Sequence, residues 1–354
     1  MVFRAISEQL YLKIKDMKKL AQLLLIYIFA TFTACGDKSE VQPEREKKQS
    51  PEEILKQWLG DVSFKQVSIS TGRWAYKDIV FNQNGSAALL DNDNRIFTSY
   101  DNGKTWQERI KIANNTVNCI AFKPEGDKLF IGGKSLGPYV FGAKFWVYNT
   151  PQNGSASLDY TGEAITSGTA DVINHDFIRA SWNGDGSVYA SFGRDSYKDG
   201  FFGNITPDGR KIFVRRTPSF SRINDRDPAR QPSHCAGFYI MNNSSKLTLC
   251  AYEYSTSGLT NIVVGYQSDS KGSGNSWFNI SLNWKAGLVK HMGQDKSGVH
   301  SIWVTATNQL YYNGQQLMTP KNLSGQILCA AIDNDNFIWI GTDQGLYKSE
   351  KAIP

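Results

Sequence analysis

The chain has 354 residues, 40% hydrophobic, 12% aromatic and 20% charged, with 31 Gly. That is enough apolar material for one large core or two ordinary ones, so disorder is excluded for most of the chain, and the balance favours strands and tight turns over helices. The formal charge is +6, but Arg4, Lys13, Lys15, Lys18 and Lys19 against Glu8 and Asp16 in the first 34 residues leave 34 basic and 31 acidic residues in the rest. Nucleic acid is therefore not expected as a partner.

Lys18 and Lys19 lead into residues 20–34, an apolar run broken only by Gln22 and stopped by Cys35. The run is too short to span a bilayer, which needs about 20 apolar residues, but it suits the apolar part of an export signal. Phe32-Thr33-Ala34-Cys35 resembles the lipobox of bacterial lipoproteins, departing from it at Phe32, where Leu is usual. The resemblance implies cleavage after Ala34, lipidation of Cys35 and a place in the cell envelope, at the outer membrane or cell surface or facing the periplasm. An ordinary cleaved signal with Cys35 incidental is the alternative. Met17 followed by Lys18 and Lys19 reads as a more natural start than Met1. The expected organisation is a signal over 1–34, a polar tether over 35–50, a docking helix within 51–63 and a folded body over 64–354.

The tether has too few large apolar residues to order itself. Ser50-Pro51-Glu52-Glu53 then carries an N-cap, a proline for the first helical position and the acidic residue of a capping box, and Gly60 stands where a left-handed stop is expected. A helix over about 51–59 should dock Ile54, Leu55, Trp58 and Leu59 on the body.

From residue 64 onward, short apolar runs alternate with turn dipeptides: Asn84-Gly85, Asn102-Gly103, Asn153-Gly154, Asn183-Gly184, Asp208-Gly209 and Asn313-Gly314. Residues 117–133 and 327–342 are two copies of one unit, a strand, a polar turn and a second strand ending in Gly. Weaker copies begin near Tyr76, Asp176, Cys235 and Leu288. The spacing of about 50 residues predicts an all-β, six-bladed propeller, with seven blades as the alternative. The last copy supplies no fourth strand before Pro354, so residues 64–70 should pair with residues 345–349 and close the ring.

Ser99-Tyr100-Asp101-Asn102-Gly103-Lys104-Thr105-Trp106 matches the Asp box, Ser-x-Asp-x-Gly-x-x-Trp, at its four defining positions. In this the chain resembles the sialidase-like and sortilin-like (BNR-repeat) propellers. The resemblance implies a structural clasp between third and fourth strands: Ser99 and Asp101 accept turn N–H groups, Gly103 is left-handed, and Trp106 packs on the sheet. Residues 268–277 look like a degenerate second box. Sialidases also carry an Arg-Ile-Pro motif before the first blade; here Arg73 is followed by Trp74-Ala75, so catalysis is not carried over. The sequence has no HExxH, Cys-x-x-Cys or P-loop, and no metal or cofactor is expected.

Cys119, Cys235 and Cys329 fall at similar places on first strands and read as small packing residues, while Cys235 and Cys250 on two arms of one hairpin are candidates for a disulfide. His175 and His234 fall where first strands begin, the end at which most propellers bind ligands. The connection over 215–230 between them carries Arg215, Arg216, Arg222, Arg226 and Arg230 against Asp225 and Asp227. Guanidinium forks suit carboxylate, sulfate or phosphate groups; a solvated loop of locally answered charges is the alternative. Asp78, Arg179 and Lys290 are further channel candidates. The expected function is a non-catalytic binding or assembly module for an acidic glycan or a protein partner, with a diverged glycoside hydrolase as the other reading.

Overall fold

In the computed structural model the chain divides into two units, 1–49 and 50–354. The structure describes residues 49–69, 75–135, 143–166, 176–182, 188–194, 197–205, 211–216, 230–240, 247–255, 261–268, 277–280, 285 and 289–354, and within the strands from 191 to 280 it describes backbone pairing alone. The signal, Cys35 and nearly all of the tether lie outside these residues.

Helix α1 (Pro51–Gly60) begins at the expected capping box: the Ser50 hydroxyl accepts from Glu53 N–H, and the Glu53 carboxylate accepts from Ser50 N–H at 2.8 Å. It does not end on a left-handed glycine. The helix runs through Gly60, and Asp61 donates its N–H to the Trp58 carbonyl instead. Leu59 is buried, and Leu55 and Trp58 pack beside it, on one face of the helix. Ile54 lies one position off that face and is 40% exposed, so it does not dock.

Strand β1 (Val62–Val67) follows the helix. Next come β2 (Tyr76–Phe81), β3 (Ala87–Asp91), β4 (Arg95–Ser99) and β5 (Gln107–Lys111), a four-stranded antiparallel meander in that order. The same unit recurs as β6 (Asn115–Phe122), β7 (Lys128–Ser135), β8 (Ala143–Asn149) and β9 (Ser157–Thr166). It recurs again as β10 (Asp176–Trp182), β11 (Val188–Arg194), β12 (Tyr197–Ile205) and β13 (Lys211–Arg216). These two meanders are merged into one eight-stranded sheet, because their outer strands β9 and β13 pair in parallel over Glu163–Thr166 and Lys211–Val214. A further meander is β14 (Arg230–Ile240), β15 (Leu247–Ser255), β16 (Asn261–Ser268) and β17 (Trp277–Ile280). The next is β18 (Val289–Gln294), β19 (Ser301–Thr305), β20 (Leu310–Tyr312) and β21 (Gln316–Leu317), followed by the short β22 (Pro320–Lys321).

The last sheet draws on both ends of the unit. β23 (Ile327–Ile332), β24 (Ile338–Thr342) and β25 (Gly345–Ser349) pair in order, and β1 adds antiparallel to β25 with Phe64 opposite Ser349 and Val67 opposite Leu346. On its other edge β1 pairs in parallel with β22 over Val62 and Ser63. This strand begins two residues earlier than the sequence suggests and ends at Val67. The architecture is a β-propeller, and among the described residues α1 is the one helix.

Consecutive sheets pack face to face. Leu89 and Phe97 join Cys329, Trp339 and Leu346 in the cluster between β2–β4 and β23–β25, while Ala88, Leu90 and Ile96 face Ile120, Leu129 and Ile131 on the other side. β3 is therefore buried at all five positions. Burial on both faces is why these strands read as continuous apolar runs rather than alternating ones. Two turn dipeptides, Asn102-Gly103 and Asn313-Gly314, take positive φ at both positions, whereas at 84–85 and 153–154 only the glycine does. Those at 183–184 and 208–209 lie outside the described residues.

Candidate functional site

Every inner strand of the ring carries a register shift near its start. The extra, unpaired residue is Lys77 in β2, Asn118 in β6, Ile178 in β10, Lys290 in β18 and Leu328 in β23; β14 has two shifts, with Ser233 and Ala236 as the extra residues. A bulge re-aims the side chains around it. The residues just after it, Asp78, Cys119, Arg179, Gly237, His291 and Cys329, occupy equivalent positions around the ring.

Asp78 and His291 meet there. His291 Nε2 lies 2.9 Å from Asp78 Oδ1, with both residues 3% exposed. Asp78 Oδ1 also accepts from Ile79 N–H and Oδ2 from Ile120 N–H in β6. On the far side of the imidazole, Nδ1 accepts from Ala330 N–H in β23 at 3.3 Å. A ring nitrogen that accepts cannot carry the proton, so the proton sits on Nε2 and is donated to Asp78. Burial, with the Arg179 charge adding to it, pushes the His291 pKa down to about 4 against the pull of Asp78. The imidazole is thus neutral, and both of its nitrogens are engaged. It has no lone pair left to act as a general base. Arg179 donates from Nη2 to the Lys290 carbonyl at 2.9 Å, tying β10 to β18.

Cys119 and Cys329 complete the ring, and burial pushes both thiols well above the usual range, so neither is a thiolate nucleophile. Each stands opposite a glycine on the second strand, Gly132 and Gly341, where an added Cβ would collide with the sulfur. In β14 the order is exchanged: Gly237 is on the first strand and Cys250 opposite it on the second. Cys235 therefore precedes its bulge and is not equivalent to Cys119 and Cys329. Its partner is Ala251, so Cys235 and Cys250 are not a directly opposed pair; their side chains lie outside the description. Among the described residues no group of three His, Cys, Asp or Glu could hold a metal ion.

Of the arginine-rich connection, Arg215 and Arg216 belong to β13 instead, opposite Phe202 and Phe201 and three strands out from β10. Strand spacing of about 4.8 Å puts that strand roughly 14 Å from the inner ring. His234 is in β14, opposite Tyr252. His175, Arg222 and Arg226 lie outside the described residues. The inner-ring pair Asp78–His291 is the feature the sequence reading missed in part: Asp78, Arg179 and Lys290 were candidates, whereas His291 was not. Its signal is present in the repeats, as a lysine and then a titratable group at the second and third positions of β2 and of β18.

The 99–106 turn joins β4 to β5. Ser99 Oγ donates to Asp101 Oδ1 at 2.8 Å and accepts from Gly103 N–H at 2.9 Å, and Asp101 accepts from the N–H and hydroxyl of Thr105. Burial alone would raise the Asp101 pKa, but the Thr105 and Ser99 hydrogen bonds outweigh it and hold the carboxyl below its ordinary value. Gly103 has φ 81°, and a Cβ there would lie 2.6 Å from the Trp339 ring. Trp106 meets that ring edge-on, Asn102 donates to Asp335 and accepts from Asn334 N–H, so the turn fastens its own sheet to the closing one. Asp101→Ala should cost about 1 kcal/mol, since the orphaned groups are partly exposed; the check is a shift in the urea midpoint with any ligand affinity unchanged.

No family model matches the chain, and no curated protein matches it in sequence. Solved structures match in fold. A chain of Kuenenia stuttgartiensis hydrazine synthase is 8% identical with a TM-score of 0.52, over 81% of this chain and 99% of that one. The WD40 β-propeller domain of Doa1 gives 11% and 0.48, over 81% and 96%, and YCF48 bound to D1 peptide gives 13% and 0.46 over the same shares. At such identities the likeness is one of fold alone.

Proposed function

We propose that this chain is an exported, lipid-anchored, six-bladed propeller acting as a non-catalytic binding or assembly module for an acidic glycan or a protein partner. The observation that carries the reading is how the inner ring uses its polar groups: among the described residues the one buried carboxylate–imidazole pair is spent on hydrogen bonds between β2, β6, β18 and β23. A glycosidase needs two carboxylates free to flank a bond, and Asp78 has both oxygens engaged. Six blades are supported by the inner strands, which neighbour one another in a closed cycle β2, β6, β10, β14, β18, β23 and back to β2. The Asp-box resemblance fits the clasp geometry of residues 99–106. Ligands would be received where the inner strands begin, with His175, His234, Arg222 and Arg226 as contributors.

Anchoring at Cys35 is tested by Cys35→Ala. The variant should move from the membrane fraction to the soluble exported fraction; unchanged membrane association would refute the anchor.

A further inference from the structure

The turns 99–106 and 150–156 stand at equivalent places, each joining the third strand of its meander to the fourth, and each carries an Asn-Gly pair. Each is also fastened to a neighbouring sheet. The first reaches Asn334 and Asp335 between β23 and β24, and the second is gripped by Arg109 of β5, which donates to the carbonyls of Pro151, Gln152 and Gly154. Asparagine before glycine is a reactive pair, because no Cβ hinders the glycine nitrogen as it approaches the asparagine side-chain Cγ. Two things hold the reaction back: hydrogen bonds that fix the side-chain amide, and a glycine N–H already committed to an acceptor. Asn102 has both. Its Nδ2 donates to Asp335 at 2.7 Å, its Oδ1 accepts from Asn334 N–H at 3.2 Å, and Gly103 N–H donates to Ser99 Oγ at 2.9 Å. The side chain of Asn313 is held by Ser301 N–H and the Val299 carbonyl, and Gly314 behind it is buried. Asn84 is exposed, but Gly85 is buried and donates its N–H to the Asn82 carbonyl at 3.3 Å. Asn153 differs from all three. It and Gly154 are exposed, its side chain makes no hydrogen bond among the described residues, and neither does the Gly154 N–H.

We infer that Asn153 is a site of spontaneous deamidation in the folded protein. The Gly154 nitrogen bonds to Asn153 Cγ, the bond from Cγ to the side-chain nitrogen breaks, and that nitrogen leaves as ammonia with the glycine proton. Water then opens the cyclic imide at either carbonyl, giving aspartate or isoaspartate. The new carboxylate arises between the Gln152 and Gly154 carbonyls that Arg109 holds, so its charge forms close to a guanidinium. In the isoaspartyl product the backbone runs through the former side chain and gains a methylene, which moves the Gly154 carbonyl relative to its donor.

The test ages the full-length protein in warm, mildly alkaline buffer and follows each Asn-Gly peptide by mass spectrometry after digestion, beside a sample aged in denaturant. Denaturant frees every pair and gives the rate that local sequence alone sets. In the folded sample Asn153 should convert at close to its denatured rate. Asn84, Asn102 and Asn313 must first open locally, so each should convert at least about tenfold more slowly than in denaturant. Ser99→Ala, which removes the acceptor of the Gly103 N–H, should speed conversion at Asn102 and leave Asn153 unchanged. Folding suppressing conversion at Asn153 as strongly as at Asn102, or Asn84 or Asn313 converting ahead of Asn153 in the folded sample, would overturn the site.

Discussion

Asp78→Ala should lower the stability of the 50–354 unit by about 3–5 kcal/mol, since each buried donor left without its acceptor costs about 1–3 kcal/mol. Three donors lose their acceptor at once: Ile79 N–H, Ile120 N–H and His291 Nε2–H. All three residues are buried. A denaturant midpoint within experimental error of wild type would remove the central tie from the account. The same site sets a pH dependence. His291 titrates near 4 when folded and near 6.5 when unfolded, so between these values the unfolded chain binds the extra proton. Stability is therefore full above about pH 6.5 and falls as pH drops toward 4, by about 3 kcal/mol in all. In His291→Gln this component of the slope should vanish.

Deletion of residues 62–67 should be the other large effect. It strips β25 of its partner, removes Val62 and Phe64 from the cluster they share with Ile340 and Tyr347, and leaves a buried strand edge exposed. Losing a buried Phe alone costs about 3–5 kcal/mol, a large part of the 5–15 kcal/mol that holds a typical domain together. The truncated chain should unfold well below the wild-type midpoint and aggregate through the open edge. An unchanged midpoint would mean that the ring does not depend on this closure.

Much of this fold was legible because it is local. Asn102-Gly103 dictates its hairpin through two positive φ angles, and the 327–342 unit shows its strand–turn–strand in one stretch of chain. Even the closure by β1 could be read, since a missing strand at one end and an orphan at the other imply each other. What escaped is what depends on register. The Asp78–His291 bond joins residues 213 apart, and it exists only because a one-residue shift in β2 and another in β18 turn both side chains to the same point. Arg215 and Arg216, expected in the 215–230 connection, instead continue the strand that Ile212–Val214 begins, through pairing with Phe202 and Phe201. Ile54 failed for a simpler reason: a helix docks through one face, and three of its four large apolar residues already fill it.

A propeller that binds without cleaving can be told from a glycosidase in one experiment. The most direct measurement titrates acidic and neutral oligosaccharides against the full-length protein while following released reducing ends in the same samples. Saturable binding that favours the acidic ligands, with every oligosaccharide recovered intact, is the predicted result. Release of reducing ends at a rate proportional to protein concentration would contradict it.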